Sequence, residues 1–231
     1  SIEFLCDVTG AFFFLEMNTR LEVEHPITEL VTLTDLVHWQ IRIARGERLD
    51  LDPEALLTPQ GHAIECRIYA EDPDRDFMPS PGRVSALRAP AGPGIRRDDG
   101  GAAAGVEVPI YYDPLIAKLA AWGADRPMSL ARMTRALHEY DVRGISTTIP
   151  FFLWLLADAD FQAGRFDTTF IDTALALRNG RPFLEVPEAS EFSAAAAVAL
   201  QVYTRTQTPA SSVPAAPASL WQQRARVDGL R

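Results

Sequence analysis

The chain has 231 residues, of which 47% are hydrophobic and 23% charged, and this composition excludes a collagen-like or wholly disordered protein. No uncharged apolar run approaches the roughly 20 residues that span a membrane, and the chain does not open on the basic-then-apolar pattern of a signal peptide. The net charge of −9 argues against wide contact with the phosphate backbone of nucleic acids. We therefore expect one large or two modest domains, with neither a membrane nor a nucleic acid as partner.

The two cysteines indicate a reducing environment. Cys6 and Cys66 lie in separate apolar stretches and cannot form a CxxC pair or a zinc quartet. We expect both thiols to be buried and reduced, which predicts a cytoplasmic protein.

The N-terminal segment predicts a β-hairpin and then a helix. Residues 2–7 and 11–18 are short apolar runs on either side of Thr9–Gly10, a pattern typical of two antiparallel strands joined by a tight turn. Residues 34–45 show the helical spacing of apolar side chains and end before Gly46, which predicts a helix.

The remainder of the chain predicts small strands followed by helices. Between residues 61 and 113, short alternating runs are separated by Pro- and Gly-rich turns, which favours small antiparallel β-structure. Helices are predicted over 126–141, 150–158, 168–178 and 189–204. A Pro/Ala/Ser-rich stretch after the last helix is typical of a linker, and Trp221 beyond it indicates the start of another module. The expected fold class is α+β.

The predicted hairpin places carboxylates opposite each other. If Thr9 and Gly10 form a two-residue turn, Glu3 lies directly opposite Glu16, with Cβ atoms about 5 Å apart on one face. Two carboxylates there repel each other unless a cation lies between them, and Asn18 on the same face offers a third oxygen. The alternative is a solvent-exposed acidic face, which is the commoner outcome for a generic hairpin, and a longer loop would shift the register.

A row of polar residues continues from the second strand at alternate positions. While the chain stays extended they project the same way, and they are Glu16, Asn18, Arg20, Glu22 and Glu24. Such a row supplies metal ligands, then a guanidinium for an anion, then a carboxylate usable as a general base. We expect His25–Pro26 to turn the chain out of the strand.

Several long motifs resemble one family. FFFLEMNTRLEVEHPITE, DLVHWQIRIARGE, GHAIECRIYAEDP, FMPSPGRV and YYDPLIAKL occur in unbroken order. From residue 1 to about 180 the chain resembles the biotin carboxylase component of biotin-dependent carboxylases, as the second half of the ATP-grasp domain plus the C-terminal domain. The region after residue 188 resembles that of acyl-CoA carboxylase α-subunits, with pyruvate and urea carboxylases as the alternatives. The resemblance implies a partial ATP-grasp antiparallel sheet followed by a small antiparallel sheet packed by helices.

The resemblance also implies an activity and partners. Members of the family are ligases that use ATP and Mg²⁺ (or Mn²⁺) to activate bicarbonate as carboxyphosphate and then carboxylate biotin on a carrier domain. The implied partners are a biotin carboxyl carrier domain, a carboxyltransferase subunit or domain, and a second copy in a homodimer or larger complex. The implied boundaries are an ATP-grasp part over 1–50, a C-terminal domain over 51–180, a helix and linker over 181–219 and a following module over 220–231.

Matching the motif residue by residue implies roles for its N-terminal half. Glu3 and Glu16 would hold the metal ions, with Asn18 assisting. Arg20 would bind bicarbonate and later stabilise the biotin enolate. The backbone of Val23 would help to position bicarbonate.

The remaining implied roles concern a base and a biotin contact. Glu24 would deprotonate bicarbonate, and Arg67 would lie near biotin and bicarbonate. For Arg67 the alternative is a plain salt bridge, with candidate partners Glu65, Glu71 and Asp72. Arg96 matches a position at the subunit interface of dimeric members.

The chain departs from the family pattern at three positions. Glu22 stands beside the bicarbonate position where the family usually has Gln, so we expect weaker bicarbonate binding than in a Glu22→Gln variant. Leu33 replaces a usual Gly and Thr148 replaces a usual Asn. These substitutions lower the expected activity without changing the family resemblance.

Two interpretations of the whole chain remain open. Because the sequence opens on Ser1 inside an apolar segment, we expect it to be a piece of a longer protein. The family places its nucleotide-binding lysines and Gly-rich lid upstream, so the 231 residues alone are not expected to catalyse the reaction. One interpretation is part of an enzyme, and the alternative is a truncated, non-catalytic assembly or dimerisation module.

Overall fold

A computed structural model describes residues 1–109, 111–185 and 187–207. The chain forms two compact units, Ser1–Leu184 and Glu185–Arg231. The strands are β1 (Ile2–Cys6), β2 (Phe12–Met17), β3 (His62–Tyr69), β4 (Glu71–Asp72), β5 (Met78–Pro79), β6 (Gly82–Arg83), β7 (Ala86–Arg88), β8 (Ile95–Asp99), β9 (Glu107–Val108), β10 (Leu115–Gly123) and β11 (Asp141–Arg143). The helices are α1 (His25–Thr32), α2 (Leu36–Ala44), α3 (Pro53–Leu56), α4 (Arg126–Glu139), α5 (Ile149–Ala157), α6 (Ala159–Gln162), α7 (Phe170–Arg178) and α8 (Glu188–Gln207).

In the hairpin of β1 and β2 the two carboxylates face each other as predicted, although the turn and the strand register differ from the prediction. The turn is longer than the predicted two residues, since the Asp7 amide donates to the Ala11 carbonyl. This shifts the register by one residue, so that Phe4 pairs with Phe14. A bulge at Leu15 then restores the register, and Glu3 lies opposite Glu16 as predicted.

A three-stranded antiparallel sheet, in the order β3–β10–β8, forms the centre of the first unit. Its apolar face carries Cys66, Ile68, Leu119 and Ala121, which are at most 2% exposed. Helix α4 packs on this face through Met133 and other buried residues, so the core lies between sheet and helix. The opposite face of the sheet is polar and carries charged side chains, including Arg67, Lys118 and Asp98.

Helix α1 lies against β3 and β10 on the polar face of the sheet, where its Glu29 pairs with Arg96 of β8. It was not predicted, since the sequence indicated only a turn at His25–Pro26. Pro26 is accepted because a proline in the first helical turn lacks only an amide proton that has no partner in the helix. At the start of the helix, His25 Nδ1 lies 2.7 Å from the Glu22 carbonyl oxygen, a hydrogen bond that holds the ring against the preceding loop.

The other predicted helices are present within a few residues of their expected ends. Helix α2 begins after Asp35, whose carboxylate accepts from the amide of His38, and α4 begins after Asp125 in the same manner. The region between β3 and β10 contains the expected small antiparallel pairs β4–β5 and β6–β9, and its strand β7 pairs with β11, which follows α4. The α+β prediction, with small antiparallel sheets packed by helices, is confirmed. The predicted linker beyond residue 207 and the module over 220–231 lie outside the described residues.

No helix in the described part of the chain combines the length and hydropathy needed to cross a membrane. The prediction of two buried thiols is half wrong. Cys66 is buried, and burial raises the pKa of its thiol, whereas Cys6 is exposed on the hairpin. Both cysteines are free.

Candidate functional site

The acidic hairpin brings together the three predicted metal ligands. The amide nitrogen of Asn18 donates to Glu3 Oε1 at 3.0 Å and to Glu16 Oε1 at 3.1 Å. The amide therefore lies between two carboxylates that would otherwise repel each other. Because the Asn18 side chain can present its oxygen instead of its nitrogen, the same three groups form an all-oxygen donor set of the kind Mg²⁺ prefers.

The metal-ligand chemistry of this group rests on two carboxylates and one amide. Residues 1–109, 111–185 and 187–207 contain no group of three or more His, Cys, Asp or Glu side chains arranged to hold a metal ion. The hairpin trio fits a cation that also takes oxygen ligands from a bound substrate, since Mg²⁺ is usually held by one or two carboxylates plus phosphates.

The loop after β2 pairs Arg20 with Glu22. Arg20 Nε donates to Glu22 Oε1 at 2.7 Å, while the Arg20 side chain remains 70% exposed. The hydrogen bond to Glu22, and then the charges of Glu16 and Glu24, raise the pKa of Arg20. The alternating row thus remains one electrostatic group although β2 ends at Met17 and the chain no longer stays extended as predicted.

The first turn of α1 meets the polar face of the sheet at Glu24. Glu24 is the N-cap residue of α1, yet its carboxylate makes no capping hydrogen bond. Instead Glu24 Oε2 accepts from Arg67 Nη2 at 2.9 Å. The structure therefore joins the two residues for which the motif implied a base and a biotin contact.

Lys118 supports the same loop from the central strand. The side chain is 14% exposed, and its Nζ donates to the Val23 carbonyl oxygen at 3.1 Å and lies 3.7 Å from Asp98. In the register of the sheet, Lys118 stands between Arg67 and Asp98 on one face. It therefore fixes the backbone of the residue implied in positioning bicarbonate.

Glu65 is the second carboxylate that forms a salt bridge with Arg67. Residues 65 and 67 share a face of β3, and Arg67 Nε donates to Glu65 Oε1 at 3.3 Å. Of the three salt-bridge partners considered for Arg67, the structure shows Glu65. Burial raises the pKa of the Glu65 carboxyl although Arg67 acts in the opposite direction.

Thr148 anchors the strand that carries Arg67. Its hydroxyl donates to the Arg67 carbonyl oxygen at 3.2 Å and accepts from the Tyr69 amide at 3.1 Å. This departure from the family pattern therefore still provides two backbone contacts. Leu33, the other departure, adopts a left-handed conformation with φ 55° and is 76% exposed. A glycine would adopt that conformation with less strain.

A charged cluster extends the site along the sheet. Arg96 Nη1 donates to Glu29 Oε2 of α1 at 2.6 Å, and its Nε and Nη2 donate to both oxygens of Asp98. Hydrogen bonds from Arg96 lower the pKa of Asp98, and the same bonds raise the pKa of Arg96. Within one chain, Arg96 thus joins α1 to the sheet.

Two cavities border the arginines. One of about 310 Å³ is lined by Arg20, Glu22 and Glu24 at one end and by apolar residues of α2, including Trp39, at the other. The second, of about 340 Å³, is lined by Glu65, Arg67 and a wall of aromatic side chains. Both provide room beside a guanidinium for an anionic or polar group.

Sequence reasoning missed the roles of Glu65 and Lys118, and the signal that could have found them is the strand register. Both residues alternate with core positions in apolar strands, so they must lie on the polar face. Which residue of β10 lies beside Arg67 depends on the pairing of strands about fifty residues apart. Nothing local in the sequence specifies that pairing.

Comparison with known proteins matches most of the described chain to two families. Residues 65–173 match the family described as Biotin carboxylase C-terminal domain. Residues 1–52 match the family described as Carbamoyl-phosphate synthase L chain, ATP binding domain. The junction between the two matches lies between α2 and β3, and the contact of Glu24 with Arg67 joins the start of α1 in the first match to β3 in the second.

Individual relatives agree with this division. The chain is 50% identical over 171 residues to Biotin carboxylase of Nostoc sp., covering 74% of this chain and 38% of that protein. It is 40% identical over 217 residues to the mitochondrial Methylcrotonoyl-CoA carboxylase subunit alpha of Dictyostelium discoideum, covering 94% of this chain and 30% of that protein. The chain thus spans well under half the length of these relatives.

A solved structure with the same fold provides the three-dimensional match. It is the biotin carboxylase domain dimer of Hydrogenobacter thermophilus 2-oxoglutarate carboxylase in complex with MgADP, ADP and bicarbonate. The TM-score is 0.74 at 41% identity, covering 80% of this chain and 40% of that one. The chain therefore carries a biotin carboxylase C-terminal domain behind part of an ATP-grasp domain, and its relatives are biotin carboxylases and subunits of acyl-CoA and pyruvate carboxylases.

Proposed function

We propose that this chain forms the bicarbonate- and biotin-handling part of an ATP-dependent biotin carboxylase, a ligase that carboxylates biotin on a carrier domain through carboxyphosphate. The observation that carries the proposal is the ion pair between Glu24 and Arg67, with Arg20 on the same loop as Glu24. A carboxylate, an exposed guanidinium and a second guanidinium thus lie near the junction of the two matched domains. A relative with the same fold binds MgADP and bicarbonate.

The chemistry of these side chains suits bicarbonate. The Arg20 guanidinium is 70% exposed, and Glu22 occupies its Nε, so both terminal nitrogens can receive a bidentate anion. The Val23 backbone, held by Lys118, would position that anion. Glu24 would accept the proton that bicarbonate loses as it attacks the terminal phosphate of ATP. Arg20 and Arg67 would then stabilise the enolate of biotin.

Glu3, Glu16 and Asn18 are the residues that would hold Mg²⁺ or Mn²⁺. Their oxygen donors and their spacing fit a divalent cation shared with nucleotide phosphates. When bound, such a cation neutralises charge on the phosphoryl group that is transferred. ATP, the metal and carrier-bound biotin are thus the cofactors and co-substrates of the proposed reaction.

We further propose that the parent enzyme is an acyl-CoA carboxylase whose α-subunit contains this chain. The support is that the alignment with Methylcrotonoyl-CoA carboxylase subunit alpha continues over 217 residues, beyond the matched domains. The partners would be a biotin carboxyl carrier domain, a carboxyltransferase and a second copy of the chain, since the solved relative is a domain dimer. Two free cysteines support a reducing compartment, the cytoplasm.

The test is ATP cleavage in the intact polypeptide that contains this sequence, measured with and without bicarbonate and free biotin. We expect cleavage to require both, and Glu24→Gln to lower kcat by about 100-fold or more, since general-base catalysis contributes about that factor. Glu47→Gln is the matched control, because Glu47 also forms an ion pair with an arginine, Arg42, but lies outside the site.

The opposite result would favour the non-catalytic assembly module. If the intact polypeptide dimerises but cleaves no ATP in response to biotin, the enzymatic proposal fails. If Glu24→Gln retains full activity, the assignment of the base is wrong even though the family resemblance stands.

A further inference from the structure

The Glu65 carboxylate uses only one of its two oxygens. Its side chain is 7% exposed. Oε1 accepts from Arg67 Nε at 3.3 Å, a long hydrogen bond, while the buried Oε2 has no hydrogen-bond partner. A buried carboxylate oxygen without a donor is costly, so its retention calls for a physical explanation.

The geometry of the guanidinium provides one. Nε and Nη2 form one edge of the planar group, and a carboxylate that takes this edge with both oxygens makes the strong bidentate pair. Here the Nε of Arg67 donates to Glu65, whereas its Nη2 donates to Glu24 at 2.9 Å. The free Oε2 of Glu65 is the acceptor that Nη2 would meet if it left Glu24.

We propose that Glu65 is a positioning residue that offers the Arg67 guanidinium a second, bidentate docking place, so that Arg67 can release Glu24 without losing a carboxylate partner. Because Glu24 is the base of the proposed function, this inference rests on that function. An ion-paired Glu24 is held by Arg67, and a released Glu24 is available to bicarbonate. Glu65 thus controls which carboxylate Arg67 occupies.

The surroundings allow this exchange. Thr148 fixes the backbone of β3 at the Arg67 carbonyl and at the Tyr69 amide, so only the Arg67 side chain needs to move. The Arg67 side chain is 40% exposed and borders the cavity of about 340 Å³ that Glu65 also lines. Glu24 is 51% exposed, whereas Glu65 is buried. The ion pair of Arg67 with Glu65 would therefore form in a region of lower dielectric constant, where the attraction between opposite charges is stronger.

The first experiment tests the pairing without relying on activity. Crystal structures of the intact polypeptide are compared for the wild type and for Glu24→Gln, which removes the competing charge but keeps the shape. We expect Arg67 Nη2 to lie about 3 Å from Glu65 Oε2 in the variant. An Arg67 that stays beside residue 24, or points into solvent, overturns the proposal.

The second experiment tests the consequence for the reaction. In Glu65→Gln the second docking place loses its charge, so Arg67 remains on Glu24. We expect kcat to fall about 10- to 100-fold while KM for ATP is unchanged, since a misplacement of about 1 Å in a site costs up to about 100-fold in rate. Glu71→Gln is the matched control, because Glu71 lines the same cavity without a contact to Arg67. A purely structural role would lower the melting temperature and leave kcat of the folded enzyme unchanged.

The two experiments separate this inference from the proposed function. If the wild-type polypeptide shows no biotin-dependent ATP cleavage, the proposed function fails, and the crystal structures still decide the pairing. If cleavage is normal but Glu65→Gln matches the wild type in kcat, the proposed function stands and the positioning role is overturned.

Discussion

The hairpin and the central sheet carry the two halves of the site in opposite ways. Every residue of β1 and β2 is exposed, including three phenylalanines in a row, and a two-stranded ribbon alone is marginally stable in water. Strands β3 and β10 are packed on α4 by residues of almost zero exposure. The proposed metal ligands therefore lie on an element held by local hydrogen bonds, whereas Arg67 and Lys118 lie on the packed central sheet.

The difference teaches how geometry is kept in each half. In the hairpin, Asp7 accepts three hydrogen bonds from Thr9 and Ala11 and so closes the turn. The position of Glu3 relative to Glu16 follows from this turn and from the bulge at Leu15. In the sheet, the position of Arg67 relative to Lys118 follows from a ladder of strands far apart in sequence. Equivalent substitutions in the two regions should therefore have unequal effects.

The largest contrast is expected from removing a leucine side chain. Leu119→Ala empties a site that is 0% exposed, and we expect a loss of about 2–5 kcal/mol in the free energy of unfolding. Leu5→Ala, in a hairpin residue that is 54% exposed, should change it by less than about 0.5 kcal/mol. Urea unfolding of the two variants measures both values. Equal losses would show that the hairpin is as tightly packed as the sheet.

A smaller contrast is expected from adding a methyl group to a glycine. Gly94 has φ +73°, and a Cβ there would lie 2.5 Å from the Trp122 carbonyl oxygen, so Gly94→Ala should cost about 1–3 kcal/mol or more. Gly10 has a similar φ of +85° but nothing within 4 Å, so Gly10→Ala incurs only the backbone strain. Thermal unfolding compares them. A larger shift for Gly10→Ala would contradict the assignment of the sheet as the cooperative core.

The third contrast concerns how the free energy of unfolding changes with pH under acidic conditions. Arg96 lowers the pKa of Asp98 in the folded protein. The ion pair therefore stabilises the folded state at pH values above the ordinary aspartate pKa of 3.8, and this stabilisation is lost as the pH falls through the lowered pKa of the folded state. Asp98→Asn should remove about 1 kcal/mol at neutral pH and flatten the fall in stability between about pH 5 and pH 2.

Asp7→Asn is the matched change in the hairpin. Hydrogen bonds from Thr9 and Ala11 lower the pKa of Asp7, with the same sign of pH dependence, but the group is fully exposed. We expect it to affect only the local opening of the turn, measured by amide hydrogen exchange, and to leave the global midpoint unchanged. An equal effect of both variants on global unfolding would break the comparison.

The smallest effect concerns the anion itself. Glu22 holds Arg20 Nε and adds negative charge beside the proposed bicarbonate position. Glu22→Gln keeps an acceptor but removes that charge, so we expect KM for bicarbonate to fall a few-fold, equivalent to less than about 1 kcal/mol. Steady-state kinetics of the intact polypeptide measure it, with Glu47→Gln as control. An unchanged KM would mean that the charge of Glu22 is not felt by the substrate.

Local patterns were enough for several parts of the fold and site. Helix α2 was predicted from apolar spacing and its stop at Gly46, and α4 from the same kind of pattern. The facing carboxylates Glu3 and Glu16 were predicted from hairpin symmetry. The turn prediction was wrong by one residue, and the bulge that corrects it has no recognisable signal in the run of phenylalanines.

The sequence by itself determined the α+β class, the family resemblance and the set of side chains available to the site, because apolar periodicity and motif order are local properties of the chain. Only the tertiary structure decided that Arg67 meets Glu24, that Lys118 is tied to Val23 and that Glu65 keeps an unused oxygen. The physical reason is that these contacts join α1 to strands many residues away. Their partners are selected by strand register and by packing against α4, which no short stretch of sequence contains.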